Sequence, residues 1–180
     1  MERIEELLAR NARIAYGSGR ELPPAPGHRL VVLTCMDHRV DPAHVFGLAL
    51  GEGAVIRNPG GRVTPGFLQQ LEILGRVFPQ LHEGQDPFEL LVVQHTECGF
   101  GRLDDAEHAE LLASYFAVPV QEVPRRHLRD DPYAGVRADL ELLAASPAAP
   151  DALHVSGLVY DLASRRAELV ERRAPLRSAA

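Results

Sequence analysis

Residues 30–39 read LVVLTCMDHR, a short apolar run that ends in a cysteine and a group of polar side chains. Similar apolar runs occur at 54–56, 90–93 and 155–159. Short continuous apolar runs are typical of strands that are covered on both faces, as in parallel sheets. The sequence therefore predicts a central sheet built from these four segments.

Helical patterns separate the predicted strands. Apolar residues recur at helical spacing across about 64–78, 104–116 and 133–145. Strands that alternate with helices indicate an α/β fold, with a mainly parallel central sheet flanked by helices. We expect a single domain over residues 1–180, because a chain of this length can bury a core without disulfide bonds.

An N-terminal helical arm and a linker are predicted for residues 1–27, ahead of a core at 28–170. The apolar residues of the arm share one helical face, and they are Ile4, Leu7, Leu8, Ile14 and Ala15. Glycine and proline residues between 17 and 27 then end the helical pattern. The arm either packs on its own domain or docks across a dimer, since a linker of this kind lets it reach outward.

Cys35 and Cys98 are the only cysteines of the chain, and each follows a predicted strand. His95 lies three residues before Cys98. Because ligands gather at the carboxyl ends of parallel strands, two adjacent strands would bring these side chains together. Two thiolates and an imidazole suit Zn²⁺ and leave a fourth position for solvent or a carboxylate. The alternative is two unrelated buried cysteines, but their shared surroundings favour one metal site.

Asp37 and Arg39 follow Cys35 closely enough to form an ion pair beside the predicted metal. The planar guanidinium would hold the carboxylate ionised and aimed, able to accept a hydrogen bond from metal-bound solvent. A structural ion pair or a helix cap before Pro42 is the alternative. Asp37 is also a possible fourth ligand in a closed state, until Arg39 draws it away from the metal.

The bulk properties exclude several classes of partner. The net charge is −6, with basic residues scattered among acidic ones, so we expect no nucleic-acid partner. No apolar run approaches the length of a membrane span. The N-terminus lacks the basic and then apolar order of a secretory signal. We therefore expect a cytoplasmic protein, in a reducing compartment that keeps both thiols available as ligands.

The pattern Cys35-x-Asp37-x-Arg39, followed about sixty residues later by His95-x-x-Cys98-Gly99, resembles the β-class carbonic anhydrases of the short microbial type. The stretch VIRNPGG at 55–61 is similar to the family's segment between the two ligand clusters. SGLVYD at 156–161 is similar to the last core strand of its short members. The resemblance extends over about residues 28–170.

The resemblance implies that Cys35, His95 and Cys98 bind Zn²⁺ and that Asp37 and Arg39 form a catalytic dyad. It implies a zinc lyase that reversibly hydrates carbon dioxide to bicarbonate and a proton. Zinc-bound hydroxide would attack carbon dioxide, while Asp37 orients the nucleophile and Arg39 keeps Asp37 off the metal. Family members typically act as dimers or larger assemblies with shared apolar pocket walls, which implies a homodimer or a higher homo-oligomer.

Two rival functions remain open. One is hydrolysis of carbonyl sulfide or carbon disulfide on the same scaffold, which a long apolar tunnel would favour. The other is a non-catalytic zinc or redox protein, with Asp37 fixed on the metal or a disulfide between Cys35 and Cys98. His38 stands where the family often has Ser or Ala, and it either relays protons or faces solvent. The other histidines are interpreted as surface or structural residues, namely His28, His44, His82, His108, His127 and His154.

Overall fold

The computed structural model describes residues 2–17, 22, 24–81, 88–150 and 153–177 of the 180-residue chain. Within these ranges one five-stranded sheet forms, from β1 (Leu30–Cys35), β2 (Gly53–Asn58), β3 (Glu89–His95), β4 (His154–Asp161) and β5 (Arg166–Arg173). The strand order is β2-β1-β3-β4-β5. The first four strands run parallel, and β5 is antiparallel to β4. The predicted α/β fold with a mainly parallel sheet is confirmed.

The helices in the described part of the chain are α1 (Glu2–Gly17), α2 (Pro42–Val45), α3 (Pro65–Leu81), α4 (Ala109–Phe116), α5 (Val123–His127) and α6 (Pro132–Ala145). The three predicted helical segments correspond to α3, α4 and α6. The second begins at Ala109 rather than near 104, because the Asp104 carboxylate accepts the backbone N–H groups of Ala106 and Glu107 in a preceding turn. No helix in these ranges is both long and apolar enough to cross a lipid bilayer.

The main core lies between one face of the sheet and the helices α3 and α6. Leu33 on β1 and Leu90 on β3 are fully buried there against Phe67 of α3 and Leu140 of α6. Burying one such side chain stabilises the fold by roughly 1.5–3 kcal/mol. Side chains alternate along a strand, so Val32 points to the opposite face, where it joins a smaller cluster.

That opposite face and the arm are less well covered. Val55 on β2 pairs with Val32, and Leu169 on β5 pairs with Leu158, yet Val55 and Leu169 are both exposed. The apolar side chains of α1 are 52% to 69% exposed, and they are Ile4, Leu7, Leu8 and Ile14. The arm therefore does not pack on its own domain through these side chains, and the placement of the Ala15 side chain lies outside the described residues.

Candidate metal centre

The three predicted ligands meet at one edge of the sheet. β1 and β3 are parallel neighbours, so Cys35 and His95 stand at the ends of adjacent strands, and Cys98 lies in the loop after β3. The two sulfur atoms are 3.7 Å apart. One ligand atom from each residue lies within 4.8 Å of the others. A tetrahedral zinc site with Zn–S bonds of about 2.3 Å separates two sulfurs by about 3.8 Å, so this spacing fits a metal ion.

The imidazole of His95 is oriented for metal binding. Its Nδ1 lies 2.8 Å from the carbonyl oxygen of Thr96. A carbonyl can only accept, so Nδ1 carries the proton and Nε2 is left with a free lone pair. In the described part of the chain, Nε2 is buried and has no hydrogen-bond partner. Leaving such an atom unsatisfied costs about 1–3 kcal/mol, and a metal ion beside the two sulfurs would satisfy it.

The two thiols differ strongly in acidity. A hydrogen bond from Cys98 lowers the pKa of Cys35 well below its ordinary value, although burial opposes this shift. The backbone N–H of Asp37 also donates to the Cys35 sulfur at 3.4 Å. The pKa of Cys98 is raised, first because its thiol donates to Cys35 and then because it is buried. Without a metal the pair therefore keeps one proton, which metal binding would release.

Asp37 and Arg39 form the ion pair that the sequence predicts. The Arg39 side chain donates from Nε to Asp37 Oδ1 at 3.0 Å and from Nη2 to Oδ2 at 2.7 Å. These bonds hold the pKa of Asp37 well below its usual range. Asp37 Oδ2 lies 4.0 Å from His95 Nε2, and Arg39 Nη2 also donates to the carbonyl of Glu97 at 3.1 Å. Asp37 also caps the short helix His38–Val40 by accepting the Arg39 N–H, so the ion pair and the helix cap are formed by the same carboxylate.

Comparison with known proteins identifies the family. No protein-family model matches the chain. A β-carbonic anhydrase from Mycobacterium tuberculosis is 26% identical over 160 residues, which are 89% of this chain and 93% of that relative. The crystal structure of a carbonic anhydrase from Streptococcus mutans is 33% identical with a TM-score of 0.73, and the match covers 95% of this chain and 98% of that one. The chain belongs to the β-class carbonic anhydrase family.

A second kind of relative also matches this β-class chain. A carbon disulfide hydrolase from an Acidianus strain is 32% identical over 93 residues, which are 52% of this chain and 42% of that protein. A solved structure of a carbon disulfide hydrolase is 25% identical with a TM-score of 0.60, and that match covers 97% of this chain and 90% of that one.

Arg57 is a residue of this β-class site that the sequence interpretation did not assign. It donates from Nε to the Cys35 carbonyl at 3.0 Å, from Nη2 to the Asp37 carbonyl at 2.6 Å, and from Nη1 to Asp41 Oδ2 at 2.9 Å. One side chain of β2 therefore fixes the backbone of the segment that carries Cys35 and Asp37. Only its position near the end of a predicted strand could have drawn attention to it.

The remaining histidines stand apart from the ligand atoms. In the described ranges, Cys35, His95 and Cys98 form the group of histidine, cysteine and acidic residues spaced to hold a metal. The side chain of His38 is 92% exposed, 3.7 Å from Asp37 Oδ1. His127 is buried and pairs with Asp105, which agrees with a structural role. His82 lies outside the described residues.

Proposed function

We propose that this chain catalyses the zinc-dependent, reversible hydration of carbon dioxide to bicarbonate and a proton. The observation that carries the proposal is the trio Cys35, His95 and Cys98 with an arginine-held carboxylate beside it, in a chain of the β-class family. These three residues would hold Zn²⁺. When bound, the metal supplies a hydroxide nucleophile at neutral pH, because it lowers the pKa of coordinated water to about 7.

Asp37 would orient the nucleophile. An ionised carboxylate can only accept hydrogen bonds, so an O–H group beside it must point its proton at Asp37 and turn a lone pair toward carbon dioxide. Arg39 holds both carboxylate oxygens. We infer that these two hydrogen bonds keep Asp37 from binding the metal and leave the fourth coordination position open to solvent.

The cleft beside the site has both charged and apolar side chains in its lining, and the charged ones are compatible with an anionic product. A cleft of about 320 Å³ adjoins His95 and Cys98. Charged side chains contribute to its lining, namely Arg62, Glu97, Arg102, Arg129 and Asp130. An anionic product such as bicarbonate suits such walls, whereas carbon disulfide would gain more from an apolar passage. Hydrolysis of carbon disulfide or carbonyl sulfide stays the second candidate, because a carbon disulfide hydrolase is among the relatives.

We further propose that residues 1–180 act as one domain within a homodimer or larger homo-oligomer. The exposed apolar face of α1 and the open face of the sheet support this assembly. Both cysteines are free thiols, and a reducing compartment such as the cytoplasm would keep them available as ligands.

The test is stopped-flow carbon dioxide hydration by the reduced, zinc-loaded protein across about pH 6.5 to 9, a range that brackets the expected zinc-water pKa. Fast turnover at every pH supports an open site, and activity only at the alkaline end indicates that Asp37 closes the metal. Cys35→Ser and His95→Ala should lose both zinc and activity. Zinc-loaded protein without hydration activity contradicts the proposal, and parallel assays with carbon disulfide then test the second candidate.

A further inference from the structure

Arg62 is a buried cation directly after the turn that follows β2. Its side chain is 3% exposed, and that of Asp139, on α6, is fully buried. Arg62 donates from Nε to Asp139 Oδ2 at 2.8 Å and from Nη2 to Oδ1 at 3.2 Å. Its Nη1 reaches the carbonyl of His127 and its Nη2 the carbonyl of Arg126, both at 2.8 Å. A buried ion pair is by itself weak evidence of net stability, so the segments that this pair connects are the more informative feature.

The first connection runs from Arg62 to Cys35. The Asn58 side chain bonds both the N–H and the carbonyl of Arg62 at 2.8 Å, which closes the turn between them. Within this turn Gly61 packs directly on the end of β1, since a Cβ there would lie 2.8 Å from the Cys35 nitrogen. Anchoring Arg62 therefore fixes the backbone that contacts Cys35.

The second connection runs from Arg62 to Cys98. Arg62 donates a hydrogen bond to the carbonyl oxygen of His127. The Nε2 atom of the His127 ring lies 3.1 Å from the carbonyl oxygen of Phe100. The Gly101 N–H donates to the carbonyl oxygen of Cys98 at 3.1 Å. The short helix Gly99–Arg102, which directly follows Cys98, is thus tied to the same guanidinium.

The third connection runs from Asp139 to the strand that ends in His95. Gln94 precedes His95 on β3, and its Nε2 donates to Asp139 Oδ2 at 3.0 Å. The Gln94 amide also fills the space beside Gly135, where a Cβ would lie 2.3 Å from Gln94 Oε1. One buried carboxylate therefore receives the Arg62 guanidinium and the side chain next to the imidazole ligand.

We propose that Arg62 and Asp139 are positioning residues that set the relative placement of the three metal ligands. The segments that carry Cys35, Cys98 and His95 are each connected to Arg62 or Asp139 by the contacts described above. A shift of this pair would therefore displace both sulfurs and the imidazole together. The inference rests on the proposed function to the extent that Cys35, His95 and Cys98 bind a metal. Losing a group that orients metal ligands typically weakens metal binding by about 10–100-fold.

Cobalt substitution of the full-length protein tests this positioning role. Co²⁺ bound by two thiolates gives charge-transfer and d–d absorption bands that report ligand geometry without any assay of turnover. Arg62→Lys keeps the positive charge but removes the paired N–H donors of the guanidinium. The double variant R62M/D139N removes both charges together. Both should shift the cobalt bands and release the metal to a chelator about 10–100-fold faster than wild type. Circular dichroism and thermal unfolding check that each variant is folded.

Arg126→Met is the matched control. Arg126 Nη2 donates to Asp139 Oδ1 at 3.0 Å, so the variant removes a cation from the same carboxylate. Its backbone carbonyl, which Arg62 holds, stays in place. The control should keep the wild-type bands and release rate even where its thermal stability falls.

Each outcome decides between the positioning role and a merely structural one. Folded Arg62→Lys with wild-type bands and release overturns the inference, and so does an equal change in Arg126→Met. If the double variant fails to fold, Arg62→Lys alone carries the decision, because it retains the charge and most of the side-chain volume. A wild-type protein that takes up no cobalt contradicts the proposed function itself, which separates that failure from failure of the positioning role.

Discussion

Asp37 accepts hydrogen bonds from the side chain and the backbone N–H of Arg39, and its Oδ2 lies 4.0 Å from Nε2 of the proposed ligand His95. Asp37→Asn should therefore retain zinc but lower carbon dioxide hydration by about 100-fold or more, since an amide cannot act as the ionised acceptor. Zinc content by elemental analysis and stopped-flow rates measure the two effects. Glu89→Gln is the matched control, because this exposed carboxylate stands at the opposite end of β3 from His95 and should leave both unchanged. Wild-type turnover in Asp37→Asn would remove Asp37 from the mechanism.

Gly61 has a backbone conformation and a packing environment that exclude a side chain. Its φ is +63°, and a Cβ there would lie 2.7 Å from the carbonyl oxygen of Val93. Gly61→Ala should therefore lower the free energy of unfolding by at least about 2 kcal/mol, measured by urea denaturation. Gly75→Ala is the control, since a Cβ meets nothing within 4 Å there. In mid-helix that change should stabilise by about 0.5–1 kcal/mol. Equal stability of the two variants would contradict the packing argument.

The three side chains that meet at the candidate metal centre could be picked out from the sequence because their signal is local. Cys35 and Asp37 follow an apolar run, and His95 and Cys98 stand at a ligand spacing after another. The residues that support them carry no such signal, since their contacts join distant parts of the chain. Arg62 and Asp139 are 77 residues apart in sequence. Only the folded topology brings such residues together, so a spacing argument could not have found the pair.

Among the strands and helices, the sequence predicted those whose buried residues form a clear apolar pattern. β1 and β3 lie inside the parallel part of the sheet and appear as apolar runs, whereas β4, HVSGLVYD, shows apolar residues on both sides of a Ser-Gly pair. β5 is an edge strand with mostly exposed side chains, RAELVERR, so it gives no apolar run and was missed. The helices α2 and α5 have four and five residues, too few to establish a helical period.

The turn between β4 and β5 ties the ligand loop to the sheet through Asp161. Asp161 Oδ2 accepts the Thr96 hydroxyl at 3.2 Å, and Oδ1 accepts the Ser164 N–H at 2.6 Å. Hydrogen bonds from Ser164, first from its side chain and then from its backbone, lower the pKa of Asp161 below its ordinary 3.8. Because the pKa is lower in the folded state, this stabilisation is present above about pH 4 and is lost as the pH falls through the folded-state pKa.

Asp161→Asn should therefore be less stable than wild type at pH 7, and the difference should narrow at a second, acidic pH as the wild-type carboxyl takes up a proton. Urea denaturation at the two pH values measures the difference. Asp130→Asn is the control, because its largely exposed carboxylate lies 3.6 Å from Arg129 and a surface pair contributes little at any pH. A constant stability difference between Asp161→Asn and wild type at both pH values would show that charge is not the cause.

At the scale of the whole molecule, one chain leaves apolar surface uncovered in two places. The face of the sheet opposite α3 and α6 exposes Val55 and Leu169, and the arm exposes its apolar stripe. An amphipathic helix that does not pack on its own domain gains stability only by burying that stripe elsewhere. Covering the open sheet face of a second copy with the arm would bury both surfaces at once. The sequence left this choice open, because helical periodicity shows which side chains share a face but not what covers them.

Substitution of Leu7 and Leu8 by serine tests this arrangement. The wild-type protein should sediment as a dimer or larger species, and L7S/L8S should shift toward monomer at equal concentration, because a stable interface needs about 800 Å² of buried surface on each partner. Sedimentation velocity over a concentration series measures the shift. Glu5→Ser, on the same exposed arm but without loss of apolar surface, should leave the assembly unchanged. Zinc content should stay the same in both variants, because all three proposed ligands lie within one chain. A monomeric wild-type protein, or an L7S/L8S variant that assembles normally, would show that the arm is not what joins the subunits.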